Sequence, residues 1–246
     1  MPLRSADSRA RLPGWAWLLF TCFGLVGALG LLLGLASLFN IGGVGRLGKL
    51  LMGDGGTVEP PGDSRAFDPV ARYPEVAAYA GSGASLLRMR ADQVRSDGHL
   101  DLGADYQPSP RVQYDFVREV PAPANAPPLG AGAPADGRWH QRIEVDLGRP
   151  GTLRYMRKVG KGRIEERTYV ARGMDRREDE PSGATVEKGV APPACPLQRL
   201  WRQATARGVP ENAVASIDYD RDGYDFSVRG TRWSLHFGAD CALQPD

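Results

Sequence analysis

The chain has 246 residues, 42% of them hydrophobic and 24% charged, which leaves room for one or two domains of ordinary size around a packed core and excludes a disordered chain. A formal net charge of +2 gives no reason to expect nucleic acid as a partner. Of the 31 basic residues only Lys49, Lys158, Lys161 and Lys188 are lysines, a skew that points to GC-rich bacterial coding and not to a ligand.

No charged residue stands between Arg11 and Arg46, and Trp15 to Leu38 reads WAWLLFTCFGLVGALGLLLGLASL. At about 1.5 Å per residue this stretch reaches across a hydrocarbon core of about 30 Å, so residues 15–38 are read as a transmembrane helix. Trp15 and Trp17 lie at its leading edge, where aromatic rings belong at headgroup level. A cleaved signal peptide fits less well, because its apolar region runs about 7 to 15 residues and ends in a small-x-small site. Arg4, Arg9 and Arg11 before the stretch slightly outweigh Arg46 and Lys49 after it. That bias favours a cytoplasmic tail at residues 1–14, an inner (cytoplasmic) membrane location, and an extracytoplasmic or periplasmic C-terminal region. Gly30 and Gly34, four residues apart, would let two such helices approach and form a homodimer.

Residues 39–65 read as a flexible tether. Within it GVGRLGK, Gly43 to Lys49, matches the spacing of a phosphate loop and of G-x-G-x-x-G. Leu50 stands where the loop needs a hydroxyl, and no buried strand precedes it, so no nucleotide and no other cofactor is expected.

A first α+β module is expected over residues 66–171. Asp68-Pro69 and Pro74 are helix starts, Val76, Tyr79 and Ala80 form an apolar face, and Gly81 ends it. Strands follow: Leu87, Met89 and Ala91 alternate, Asp97-Gly98 turns, Leu100, Leu102, Ala104 and Tyr106 alternate back, and Val112, Tyr114 and Phe116 begin a third. Residues 120–137 are a Pro/Ala/Gly-rich insertion. Extra strands carry Ile143, Val145 and Leu147, then TLRYMRKV and RIEERTYV around a Gly-Lys-Gly turn. Residues 172–194 read as a linker. In a second, smaller module at 195–246, Leu197, Leu200, Trp201 and Ala204 keep helical spacing and Gly208 stops the helix. Three alternating strands follow, 214–219, 224–228 and 233–237. The shared order of helix, strand, Asp-Gly turn and strands implies an internal duplication.

The stretch IDYDRDGYDF, Ile217 to Phe226, imitates the first half of a calcium loop, yet its twelfth position counted from Asp218 is Arg229 and its flanks alternate as strands. It reads as a tight hairpin whose φ > 0 residues are Asp222 and Gly223, and no metal is expected. Cys195 and Cys241 bracket the second module and are expected to form a disulfide, which suits an oxidising compartment. His99, His140 and His236 have no partner at a recognisable spacing, so no catalytic residue is assigned. Between Arg138 and Arg177 twelve basic residues face five acidic ones, an excess of +7. Arg154, Arg157, Lys158, Lys161 and Arg163 form a candidate patch there for an anionic lipid, a glycan or an acidic envelope protein.

With these elements the chain resembles single-pass anchored proteins of GC-rich bacteria. At fold level, residues 66–118 and 195–241 are similar to PepSY-type and β-lactamase-inhibitor-type modules. The resemblance implies α+β, a transmembrane helix followed by two helix-plus-antiparallel-meander modules, the first with extra strands. It carries no functional residue with it. The expected function is a membrane-anchored extracytoplasmic binding or scaffolding protein without catalytic activity. The alternatives are an envelope enzyme with an active site assembled from dispersed residues, or a structural spacer. Labelling intact cells with a membrane-impermeant thiol reagent checks this reading. Cys195 and Cys241 should react only after reduction, and labelling from the cytoplasmic side alone would reverse the orientation.

Overall fold

Aspartate and proline set the first helix. Asp68 Oδ1 accepts the backbone N–H groups of Val70 at 2.9 Å and Ala71 at 3.0 Å, closing the turn that leads into α1 (Tyr73–Ala80). Pro74 occupies its first turn and Gly81, at φ 106°, ends it, so the helix begins and stops where residues without an N–H or a Cβ are tolerated. This computed structural model describes residues 57–123, 138–160, 163–183 and 187–245. The stretch 15–38 with Gly30 and Gly34, and Lys161, lie outside the described residues. Among the described residues no helix is long and apolar enough to cross a membrane.

After α1 come β1 (Ser85–Val94), β2 (Arg111–Val120) and β3 (Trp139–Gly148), then a hairpin of β4 (Leu153–Gly160) and β5 (Arg163–Val170), and β6 (Met174–Glu178). A second helix, α2 (Leu197–Ala206), precedes β7 (Ala215–Asp220), β8 (Gly223–Ser227) and β9 (Ser234–Phe237). Seven of the strands form one sheet in the order β6-β3-β2-β1-β7-β8-β9, every neighbouring pair antiparallel. The β4–β5 hairpin forms a separate two-stranded sheet.

This corrects the expected fold class. The described chain is mostly a single seven-stranded antiparallel sheet with two short helices, and no transmembrane helix occurs among the described residues. The join is the pairing of β1 with β7, where Met89, Arg90, Ala91 and Asp92 meet Tyr219, Asp218, Ile217 and Ser216. A separate three-stranded module would leave the β7 edge with a row of unsatisfied backbone groups, and β1 supplies their partners. The stretch read as a linker holds β6, the edge strand beside β3.

The duplication is corrected on the same ground. Leu100 and Leu102 are buried, but they belong to no strand of the sheet: Leu100 makes one isolated bridge with Phe67, and Asp101 Oδ1 accepts the Gly103 N–H at 3.0 Å as the chain turns. The partner of β1 is therefore β2, across a long connection, whereas β7 and β8 meet across two residues, Arg221 and Asp222. Alternation of apolar residues here marks burial beneath a loop, not ladder pairing.

The core lies on one face of the sheet. Tyr73 of α1 stacks near Tyr114 and Phe116 of β2, and Trp201 of α2 packs edge-on to Phe226 of β8 at 5.0 Å. Cys195 and Cys241 are bonded, with Cα atoms 5.6 Å apart and a sequence separation of 46, which ties the start of α2 to the segment after β9. On the chain-entropy estimate that closure stabilises the fold by about 4 kcal/mol. Because β7 needs β1, a fragment of residues 195–246 should show no cooperative thermal transition even with the disulfide intact. A sharp melt of that fragment would restore the two-module reading.

Candidate functional site

The residues between the buried ones on each strand project to the opposite face, since side chains alternate along a strand. The register lines up one row across the whole sheet: Asp175, Asp146, Gln113, Arg90, Asp218, Asp225 and His236, from β6 to β9. Both helices pack on the other side, so this face is polar and uncovered by them.

At the β3 end the face is paired within itself. Arg111 Nε donates to Asp146 Oδ1 at 2.6 Å, and Arg177 Nη2 donates to Glu144 Oε1 at 2.8 Å and to Asp146 Oδ2 at 3.3 Å. Asp146 is only 3% exposed, so the two guanidinium groups are what make its charge tolerable there. Burial pushes the Glu144 carboxyl above its ordinary range, with Arg177 opposing the shift, and burial does the same to Asp175. These charges have little left to offer a ligand.

The β7 end is different. Between Asp92 and Val94 the β1–β7 register slips, and the extra residue, Gln93, takes a left-handed backbone at φ 70°. A β-bulge with a non-glycine residue in that region carries strain and bends the strand away from regular pairing. Gln93 Nε2 donates to Pro108 O at 3.1 Å, which holds the 103–110 loop against the bulge. The same loop is tied through Asp105 to Arg149 at 2.9 Å. Beneath Pro108 the face opens into a groove of about 440 Å³ bordered by Arg90, Asp92, Ser216, Asp218, Ser227 and Arg229.

Within the groove Arg90 Nε lies 3.3 Å from the Asp92 carboxylate, which also accepts the Ser216 hydroxyl at 2.8 Å. Asp218 is half-buried and, among the described residues, accepts no hydrogen bond; Arg229 is exposed and has no ion-pair partner among them. Burial raises the pKa of Asp218, Arg90 and Arg88 oppose that, and Asp92 and Asp225 add to it.

The histidines are not gathered. His99 Nδ1 lies 3.6 Å from Asp97, the His140 backbone pairs with Ser182, and His236 Nδ1 lies 2.9 Å from Asp225 Oδ1. The His236–Asp225 pair is an imidazole with a carboxylate, but its side chains are 40% and 67% exposed and nothing there excludes water. The calcium-like stretch is the β7–β8 hairpin; Gly223 alone takes positive φ, at 120°, and Asp222 N–H donates to Asp220 Oδ1 at 2.9 Å. No group of three metal-ligating side chains occurs among the described residues.

Of the basic patch, Arg154, Arg157 and Lys158 lie on β4 and Arg163 on β5. In register Arg157 stands opposite Glu166 and Lys158 opposite Glu165. Sequence reasoning missed Arg90, Gln93, Ser216 and Ser227. Their signal, the polar alternation of Arg88, Arg90 and Asp92 against Ser216 and Asp218, has meaning only once β1 is known to pair with β7. Comparison with protein-family models, with curated proteins and with solved structures finds no match for this chain.

A folded-state pKa raised above the ordinary 3.8 means that Asp218 contributes its stability in full below that pH and loses it as pH rises through the raised value. Asp218→Asn should therefore be more resistant to urea than the parent chain at pH 7, and the difference should vanish near pH 3. A loss of stability at pH 7 would show that the carboxylate is held by a partner.

Proposed function

We propose that the chain is a membrane-anchored, extracytoplasmic binding protein that acts without covalent chemistry and meets its partner on the polar face of the sheet. The observation that carries this reading is the contrast along one face. The carboxylates at the β3 end are closed by arginines, while the groove under Pro108 presents Arg229 and Asp218 without hydrogen-bond or ion-pair partners among the described residues. Charged groups left unmatched on a rigid sheet are available to recognise a ligand and steer it, whereas matched ones are not.

The uncharged stretch at residues 15–38 supports anchorage, and the Cys195–Cys241 bond suits an oxidising compartment. The basic hairpin bearing Arg154, Arg157, Lys158 and Arg163 would add a second contact, to anionic lipid headgroups, an anionic glycan or an acidic envelope protein.

Crosslinking tests the placement. A photoreactive residue introduced at Ser227 in the full chain, irradiated in native membranes, should give one dominant adduct that Arg229→Glu abolishes. A control at the exposed Glu211, in the loop before β7, should give none. Adducts equal at the two positions, or unchanged by Arg229→Glu, would remove the polar face from consideration.

A further inference from the structure

We infer that the groove under Pro108 is a subsite for a polyhydroxylated carboxylate, of which a hexuronate is the simplest, taken as a free sugar acid or as one unit of an anionic glycan. The inference rests on the binding reading above and names the chemistry of that site.

Two guanidinium groups, of Arg90 and Arg229, border the depression. Arg90 uses Nε toward Asp92, and no contact among the described residues engages its Nη groups; Arg229 is engaged by none. Planar forks of this kind pair with carboxylates through two parallel hydrogen bonds, which fixes orientation as well as charge.

The charge count favours a single negative charge. Among Arg90, Arg229, Asp92 and Asp218 there are two cations and two anions, and Asp92 is already held by Arg90 and Ser216. Arg229 is then the lining cation without an ion-pair partner among the described residues, and a doubly charged phosphate would meet repulsion from Asp218 and Asp92. The rest of the lining speaks for hydroxyls. Among the described residues Asp218 is an acceptor without a donor, and the Ser227 hydroxyl has only a long contact, 3.4 Å, to Ser216 O. A ring hydroxyl beside the ligand carboxylate would donate to Asp218 and so relieve a half-buried acceptor.

The size agrees. A volume of about 440 Å³ lies within the range of roughly 300–1,000 Å³ usual for small-ligand sites. The groove lies on the polar face of the sheet and is bordered by Pro108 of the 103–110 loop. The left-handed Gln93 borders the groove and pins the 103–110 loop beside it through Pro108.

Saturation-transfer NMR and titration calorimetry on the full chain in detergent micelles test this with sodium D-glucuronate, D-glucose, D-glucosamine and inorganic phosphate. Glucuronate should bind saturably, and the other three at least tenfold more weakly. Arg229→Gln should weaken glucuronate at least tenfold and Asp218→Asn severalfold, while Arg232→Gln, beside Trp233 and outside the groove, should change nothing. Thermal melts of each variant confirm that it is folded. Trigalacturonate binding more tightly than galacturonate assigns the site to a glycan, and equal affinity assigns it to the free acid.

Phosphate or glucosamine binding as well as glucuronate overturns the ligand class, and so does glucuronate binding that Arg229→Gln leaves intact. If glucuronate fails while the Ser227 crosslink persists, the ligand class falls and the binding face stands. If both fail, the binding reading falls with it.

Discussion

The pairing of β1 with β7 is the constraint on which the rest of the molecule depends. It joins residues 89–94 to residues 215–219 across more than half of the described chain, and everything from β2 to α2 is an excursion between those two strands. Closing so long a loop costs only slowly more than closing a short one, because the entropy grows with the logarithm of length. What the pairing returns is larger: a ladder of backbone hydrogen bonds on both sides of each strand, and a continuous apolar face instead of two small ones. The returning segment is stitched to the join. Val190 N–H donates to Leu86 O at 2.6 Å, and the Tyr219 hydroxyl donates to Ala191 O at 3.0 Å.

One sheet with one buried face explains why both helices pack on the same side of it and why a tyrosine of the sheet meets a backbone group just before each helix. Tyr114 is fully buried, and its hydroxyl donates to Pro69 O at 2.6 Å just before α1. The Tyr224 hydroxyl accepts the Cys195 N–H at 3.1 Å just before α2, and burial pushes its pKa up to about 12. Each phenol thus spans the layer between sheet and helix start, satisfying a backbone group that would otherwise be stranded. Gly98 serves the same layer. It has positive φ, and a Cβ there would come within 2.5 Å of the Gln198 backbone nitrogen at the first turn of α2.

Local elements were legible because local chemistry determines them. Pro74 and Gly81 mark the ends of α1, the 3.6-residue spacing of Leu197, Leu200, Trp201 and Ala204 marks α2, and strict alternation marks β3, β7 and β8. Pairing was not legible, since a strand edge carries no record of which other edge completes it. The Asp-Gly turns made residues 85–106 and 215–227 look like copies, but the hydrogen bonds that define a hairpin form only in the second. The groove was hidden for the same reason: its residues come from β1, from β7, from β8, from the 103–110 loop and from the turn after β8. Arg229 did stand out in the sequence, as the cation at the twelfth position of the calcium-like stretch, and it lies exposed in the turn after β8 at the border of the groove.

The site and the join are one feature. The bulge at Gln93 lies one residue past the end of the β1–β2 pairing, at Asp92 and Arg111, where β1 still pairs with β7 and the β1–β7 register slips. A ligand reaching from Arg90 on β1 to Asp218 on β7 and Arg229 beyond β8 would touch both sides of the join at once. Binding that requires the joined state stabilises it by RT ln(1 + [L]/Kd), about 2.7 kcal/mol at a ligand concentration of 100 Kd. Occupancy of the groove and integrity of the sheet would then be linked through the β1–β7 ladder, while the ladder and the Pro108 contact hold the left-handed Gln93 from both sides.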